Sequence, residues 1–227
     1  MDKQRVFDKE MEELKDLILK MGVMVQGLIH KSIEALKHSD PALAQEVIEE
    51  DKKVDQLELE LDEKCVELIA LRQPEASDLR YIMTGTRIVT DLERIGDLAG
   101  DIALRTKALA GQPLPKPLID IPKMAKIAQE EVALVLDAFI KRDAKIAKSV
   151  WEKELEINRL RDVVYNDLVD LMSQNAVTVP QAVPLLLISR HLERIGDHAT
   201  NIAEDVVYMV SAKVVKHGGS TTDHSQL

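Results

Sequence analysis

The six-residue phrase LERIGD occurs twice in this sequence, at residues 92–97 and again at residues 192–197. In each copy a glutamate and an aspartate are four residues apart, so both carboxylates fall on one face of a helix. Carboxylates at this spacing repel each other, and the glycine between them costs a helix roughly 1 kcal/mol relative to alanine. Because both copies retain both costs, the pattern indicates a cation-binding stripe that a neighbouring group approaches closely.

The acidic stripe extends beyond the repeated phrase and has a counterpart on a second helix of each half. The candidate metal ligands of the first half are Asp51, Asp55, Glu93, Asp97 and Asp101. The candidates of the second half are Glu154, Asn158, Glu193 and Asp197, and Asn201 stands where the first half has Asp101. Oxygen ligands from two adjacent helices suit iron, manganese, magnesium or calcium better than a thiolate-bound metal. Because asparagine carries no charge, the second half is expected to bind metal less fully.

Two other interpretations of these acids stay open at this point. In the first, the acids form a solvated face, Arg94 and Arg194 pair with them, and the protein is a metal-free helical scaffold. In the second, they form a carboxylate-bridged di-metal oxidase, a site that uses Glu-x-x-His pairs, and no glutamate here has a histidine three residues later. A glycine-rich phosphate loop, a nucleophile elbow and an HExxH motif are also missing from the sequence. The prediction is a protein without catalytic residues or an organic cofactor.

Composition favours long helices with an aliphatic core. Hydrophobic residues make up 45% of the 227 residues but aromatic residues only 3%, a composition that disfavours β-sheet. The net charge of −10 argues against a nucleic-acid partner, which would require a basic face. The N-terminal segment is charged from its start, and no uncharged run approaches the roughly 20 residues of a membrane span. We therefore expect a cytoplasmic protein.

Hydrophobic residues recur every three to four positions along nearly the whole chain, which predicts six long helices. Residues 40–68 match residues 143–171 at an offset of 103, and the two LERIGD helices match at an offset of 100. A proline- and glycine-rich stretch at 111–122 separates the halves. The fifth helix is predicted to run unbroken from a cap at Asp143 to about Ser173. The predicted fold is all-α and elongated, with three-helix bundles at 1–112 and 118–213 and a disordered tail at 214–227.

Three motifs together resemble the PhoU family of bacterial phosphate-transport regulators. They are LERIGD in both halves, DKKVDQLELELDEKC at 51–65 and RQPEASDLR at 72–80. The resemblance spans nearly the whole chain, to about Ala212, and implies two three-helix bundles. Some members bind iron or other metal clusters through E/DxxxD motifs. The resemblance therefore implies iron, manganese, zinc or another divalent metal at the acids named above.

The resemblance also implies a function by contact rather than by catalysis. Members of the family act in the cytoplasm with the phosphate-specific ABC transporter, through its ATP-binding subunit, and with a membrane sensor histidine kinase. The resemblance therefore implies that the protein meets a membrane only through these partners. They hold the phosphate-starvation response off when phosphate is plentiful, and they commonly form homodimers. The sequence is therefore expected to encode a negative regulator and adaptor of phosphate uptake and signalling.

Overall fold

The computed structural model describes residues 3–216 and 220–221, which are mostly helical. The first half contains α1 (Lys3–His38), α2 (Pro41–Arg72) and α3 (Ala76–Leu109). The second half contains α4 (Asp120–Lys141), α5 (Ala144–Lys148), α6 (Val150–Gln174) and α7 (Val179–Ser211), with a 3₁₀ turn at Ala176–Thr178 between α6 and α7. Two short strands, β1 (Val215–Lys216) and β2 (Ser220–Thr221), pair in antiparallel fashion.

The first two helices of each half are joined by the same kind of tight turn. Asp40 caps α2 by accepting hydrogen bonds from two following backbone N–H groups, and Pro41 fills the first helical position, where an N–H is not needed. Asp143 caps α5 in the same way. The residues that precede the two caps, Ser39 and Arg142, are both left-handed, with φ of 50° and 51°. The repeat seen in the sequence therefore extends to the backbone of the turns.

The all-α architecture with six long helices is confirmed, with one difference in the second half. The fifth helix, predicted to be unbroken from Asp143, is interrupted at Ser149, which separates α5 from α6. The Ser149 hydroxyl donates to the carbonyl oxygen of Ile146 at 2.7 Å, and the Ser149 backbone N–H also bonds to that carbonyl. Bonds of this i→i−3 kind tighten the backbone locally and interrupt the regular helical ladder.

The two three-helix bundles share one continuous hydrophobic core. Each bundle packs its own helices together, but α3 also lies against α7 and α1 lies against α4. Tyr81 of α3 stacks on Phe139 of α4 with ring centroids 4.6 Å apart, and the Arg142 guanidinium lies 4.7 Å above the Tyr81 ring. Gly22 of α1 faces Leu136 of α4 so closely that an added Cβ would overlap it. The first and third helices of the halves therefore hold the bundles together.

The tail predicted to be disordered, 214–227, lies largely outside the described residues. Its described part includes the short pairing of β1 with β2, and Val215 is buried. Within the described part of the chain, no helix combines the length and apolar character needed to cross a membrane.

Candidate metal centre

Three of the predicted ligands in the first half lie close together. Asp51 and Asp55 are one turn apart on α2 and Asp97 lies on α3, and one carboxylate oxygen of each is within 4.8 Å of the other two. Asp51 is half-buried, whereas Asp55 and Asp97 are exposed. Over residues 3–216 and 220–221, no other trio of acidic, histidine or cysteine side chains meets this distance. Oxygens this close can share one ion, because metal–oxygen bonds are about 2.0–2.6 Å long.

The glycine of the first LERIGD motif gives Asp51 its place between the helices. A Cβ atom added to Gly96 would lie 2.7 Å from Asp51 Oδ1, and one added to Gly100 would lie 3.1 Å from Asp51 Oδ2. The Asp51 carboxylate thus occupies a space that any side chain at these two positions would fill. The helix-weakening glycine has a specific use here, which is to let a carboxylate of α2 lie against the backbone of α3.

The Asp51 carboxylate is electrostatically unfavourable without a cation. Its Oδ1 atom is buried and has no hydrogen-bond partner. Burial raises the pKa of Asp51 to about 7, and the nearby carboxylates of Asp55 and Asp97 contribute to the rise. A divalent cation bound among the three carboxylates would attract each of them and so offset their mutual repulsion. The unpartnered oxygen and the clustered negative charge therefore fit a metal ion.

The other two predicted ligands of the first half lie at the edges of this cluster. Asp101, one turn beyond Asp97, lines a surface depression of about 380 Å³ together with Asp51 and Asp97. Glu93 has a buried Oε2 atom that lies 3.4 Å from Arg94, and burial and Asp97 both raise the pKa of Glu93. Arg94 also pairs with Asp97 at 3.1 Å. All five predicted acids of the first half thus belong to one connected region.

The second half does not gather its predicted ligands in the same way. Glu193 is buried and forms two ion pairs, one with Arg190 at 2.6 Å and one with Arg161 at 3.8 Å. A glutamate whose charge is already balanced by two guanidinium groups gains less from a metal ion. The other three predicted ligands of this half are half-buried or exposed: Glu154, Asn158 and Asp197.

Glu131 of α4, an acid that lies outside the repeated acidic motifs, is fully buried in the second half. Neither of its carboxylate oxygens has a hydrogen-bond partner, and a Cβ atom added to Gly196 would lie 3.0 Å from Glu131 Oε2. Burial raises the pKa of Glu131 to about 8, and Glu154 and Asp197 add to the rise. The one sequence signal for Glu131 is that Leu28 stands 103 residues earlier, so an acid replaces a core leucine of the repeat.

The helices that carry LERIGD pack antiparallel and carry charged contacts between the halves. His198 Nδ1 on α7 is hydrogen-bonded to Asp91 Oδ1 on α3 at 2.8 Å. Arg87 on α3 donates to Asp205 on α7 at 2.7 Å. The two helices run in opposite directions, because Arg87, which precedes Asp91 on α3, meets Asp205, which follows His198 on α7.

The contacts between α3 and α7 follow an approximate two-fold symmetry. Asn201 donates to Asp91 at 3.5 Å, and the symmetry-related pair is His191 with Asp101, whose Nδ1 and Oδ2 atoms are 3.9 Å apart. Asp91 and His191 occupy equivalent positions in the repeat, and so do Asn201 and Asp101. The same two positions therefore meet in both contacts, but they carry different residues in the two halves. This arrangement places His191 of the second bundle next to an acid of the first bundle's cluster.

Known proteins resemble this chain in both sequence and structure. The family model described as the PhoU domain matches residues 18–106 and 121–206. The phosphate-specific transport system accessory protein PhoU homolog of Aquifex aeolicus is 41% identical over 92% of this chain and 95% of its own length. The Escherichia coli accessory protein PhoU is 34% identical over 96% of this chain and 90% of its own length.

A solved structure shows the same fold. The crystal structure of PhoU from Pseudomonas aeruginosa matches with a TM-score of 0.87 and 36% identity, over 91% of this chain and all of that chain. The family model therefore matches each half once, in agreement with the repeated turn and the repeated acidic motif. On the strength of both matches, the chain belongs to the PhoU family.

Proposed function

We propose that this protein is an accessory and regulatory protein of a phosphate-specific transport system. The observation that carries this proposal is the match of nearly the whole chain to accessory proteins of that system, at 34–41% identity. The finer role is that of a cytoplasmic, homodimeric adaptor, which contacts the transporter's ATP-binding subunit and a sensor histidine kinase. Through these contacts it holds the phosphate-starvation response off.

The adaptor role is tested by capture from membranes that contain both partners. We expect a tagged copy to co-purify with the ATP-binding subunit and with the kinase, and light scattering of the purified protein to give twice the mass of one chain. Membranes lacking the transporter serve as the control. Failure to capture either component from membranes that contain both would contradict the adaptor role.

We also propose that the first half holds a divalent metal ion on Asp51, Asp55 and Asp97, with Asp101 at the edge of the site. The unpartnered, half-buried Asp51 carboxylate supports this location. A bound ion supplies positive charge where three carboxylates converge, and so fixes the separation of α2 and α3. On this proposal the first half is the main site, because among the described residues only Asp51, Asp55 and Asp97 bring three ligand atoms within 4.8 Å of one another. In the second half, Glu193 is already balanced by arginines.

Metal analysis by inductively coupled plasma mass spectrometry tests this location. The sample is protein purified without chelator or metal-affinity resin, and Asp97→Asn is compared with Asp197→Asn, the same motif position in the other half. We expect stoichiometric iron, manganese or zinc in the unmodified protein and in Asp197→Asn, and none in Asp97→Asn. Metal added at 100 times its dissociation constant should raise the free energy of unfolding by about 2.7 kcal/mol.

The other outcomes separate the alternatives. Metal that is lost in Asp197→Asn but kept in Asp97→Asn would place the metal site in the second half and contradict the proposed location. Metal-free protein that shows no thermal shift with any of these ions would leave a metal-free scaffold. Oxygen uptake by iron-loaded protein would instead favour the di-metal oxidase.

A further inference from the structure

His191 is a buried histidine whose ring has no hydrogen-bond partner in the described part of the chain. It is 9% exposed, and both Nδ1 and Nε2 are buried without a partner. Leaving two polar ring atoms unsatisfied is costly in a protein interior. The ring therefore has a use that hydrogen bonds within the chain do not explain.

The acid that faces His191 is Asp101, which lies at the edge of the acidic cluster in the first bundle. Asp101 Oδ2 lies 3.9 Å from His191 Nδ1, which is too far for a hydrogen bond. The same Asp101 lines the depression that also contains Asp51 and Asp97. A distance of 3.9 Å is shorter than two metal–ligand bonds laid end to end, about 4.2 Å. The distance between His191 Nδ1 and Asp101 Oδ2 is therefore one that two ligand atoms bound to the same metal ion can have.

The second histidine of the repeated motif region provides an internal comparison. His198 also faces an aspartate across the interface of α3 and α7, but its Nδ1 is directly hydrogen-bonded to Asp91 at 2.8 Å. A histidine that already holds its acid directly leaves no room for an ion between them. Of these two histidines, only His191 combines a ring without a hydrogen bond with an acid at the edge of the metal cluster.

We propose that His191 is a ligand supplied by the second bundle to the metal site of the first bundle, on the side of Asp101. This inference rests on the metal site proposed above and adds which class of metal ion that site prefers. Imidazole is a good ligand for zinc, iron and other transition metals, whereas magnesium and calcium prefer oxygen. His191 therefore makes the site selective for a transition metal.

The ring of His191 has donor atoms available for a metal, because neither ring nitrogen has a hydrogen-bond partner among the described residues. A neutral imidazole has a free lone pair for a metal, which a protonated ring lacks. A metal held in this way joins α3 to α7, so its binding strengthens the packing of the two bundles against each other.

The test compares His191→Leu with His198→Leu, using Zn²⁺ and Mg²⁺ as probes in isothermal titration calorimetry. Loss of a partner that only orients a ligand typically costs 10–100-fold in affinity, so we expect His191→Leu to weaken Zn²⁺ binding by at least about tenfold. Mg²⁺ binding should not change. Zinc-edge X-ray absorption should show an imidazole ligand in the unmodified protein and in His198→Leu, but not in His191→Leu.

The outcomes distinguish failure of this inference from failure of the proposed metal site. If Zn²⁺ binding depends on Asp97 but His191→Leu keeps the original affinity and imidazole signal, the His191 assignment is wrong and the metal site stands. If the unmodified protein binds no Zn²⁺, both are wrong. Circular dichroism checks folding, and His191→Gln, for which the same losses are expected, replaces the leucine variant if that variant does not fold.

Discussion

Replacement of Glu131 by leucine is expected to make the metal-free protein markedly more stable at alkaline pH. Glu131 is fully buried with both oxygens unpartnered, and its pKa is raised to about 8. Ionising it inside the core is therefore unfavourable. Since one pKa unit corresponds to about 1.36 kcal/mol, the gain at pH 9 is on the order of 5 kcal/mol. Leu28, at the equivalent place in the first half, shows that the repeat accommodates leucine there.

The pH dependence of stability gives this prediction its sign. The folded-state pKa of Glu131 lies above its unfolded value of 4.5, so between about pH 4.5 and 8 the folded state retains a proton that the unfolded state has released. Stability therefore falls as pH rises through this range and levels off above it. Asp51, with its pKa raised to about 7, contributes in the same direction.

Urea unfolding with chelator present, repeated from pH 5 to pH 9, measures the effect. The leucine variant should gain most at pH 9, and its stability should fall less steeply with pH. The matched control is Glu130→Gln, because the adjacent Glu130 is half-buried and pairs with Lys153, which lowers its pKa. That control should not stabilise the protein at any pH in this range. A leucine variant no more stable than the original at pH 9 would show that Glu131 finds a partner in solution.

The second large effect is expected from Phe139→Ala. Phe139 is completely buried and stacks on Tyr81 across the contact between α3 and α4. Truncation of a buried phenylalanine to alanine typically costs about 3–5 kcal/mol, because the lost burial is added to the cost of a cavity. For a protein of this size that corresponds to a fall in melting temperature of roughly 10 °C.

The only other phenylalanine, Phe7, provides the control for this measurement. It lies near the start of α1 and is partly exposed, so Phe7→Ala should cost much less. Differential scanning calorimetry of both variants and the unmodified protein gives the comparison. A cost below about 1 kcal/mol for Phe139→Ala would mean that the contact between α3 and α4 is not tightly packed in solution.

Much of the fold follows from the hydrophobic period, but the pairing of helices does not. The recurrence of apolar residues and the caps at Asp40 and Asp143 predict which segments are helical and how the halves repeat. They do not predict the interruption at Ser149, because the decisive hydrogen bond to Ile146 has no sequence signature. Nor does periodicity alone show that α3 would lie against α7.

The part of the candidate site that lies between α2 and α3 of the first half could be predicted from the sequence. The spacing of Asp51, Asp55 and Asp97 selected the three side chains that the fold brings together. The partners of Glu193 were not predictable, because the sequence suggested Arg194 and the structure shows Arg190 and Arg161. His191 was not predictable either, because its relevant neighbour, Asp101, is ninety residues away in sequence, on α3.

The approximate symmetry of α3 and α7 also determines which halves can assemble with each other. If two first halves met through this face, Arg87 would face Arg105 and Asp91 would face Asp101. In the observed pairing Arg87 meets Asp205, and Asp91 meets His198 and Asn201. Like charges facing each other would disfavour self-pairing of first halves. The sequence differences between the copies therefore favour pairing of a first half with a second half over pairing of two first halves.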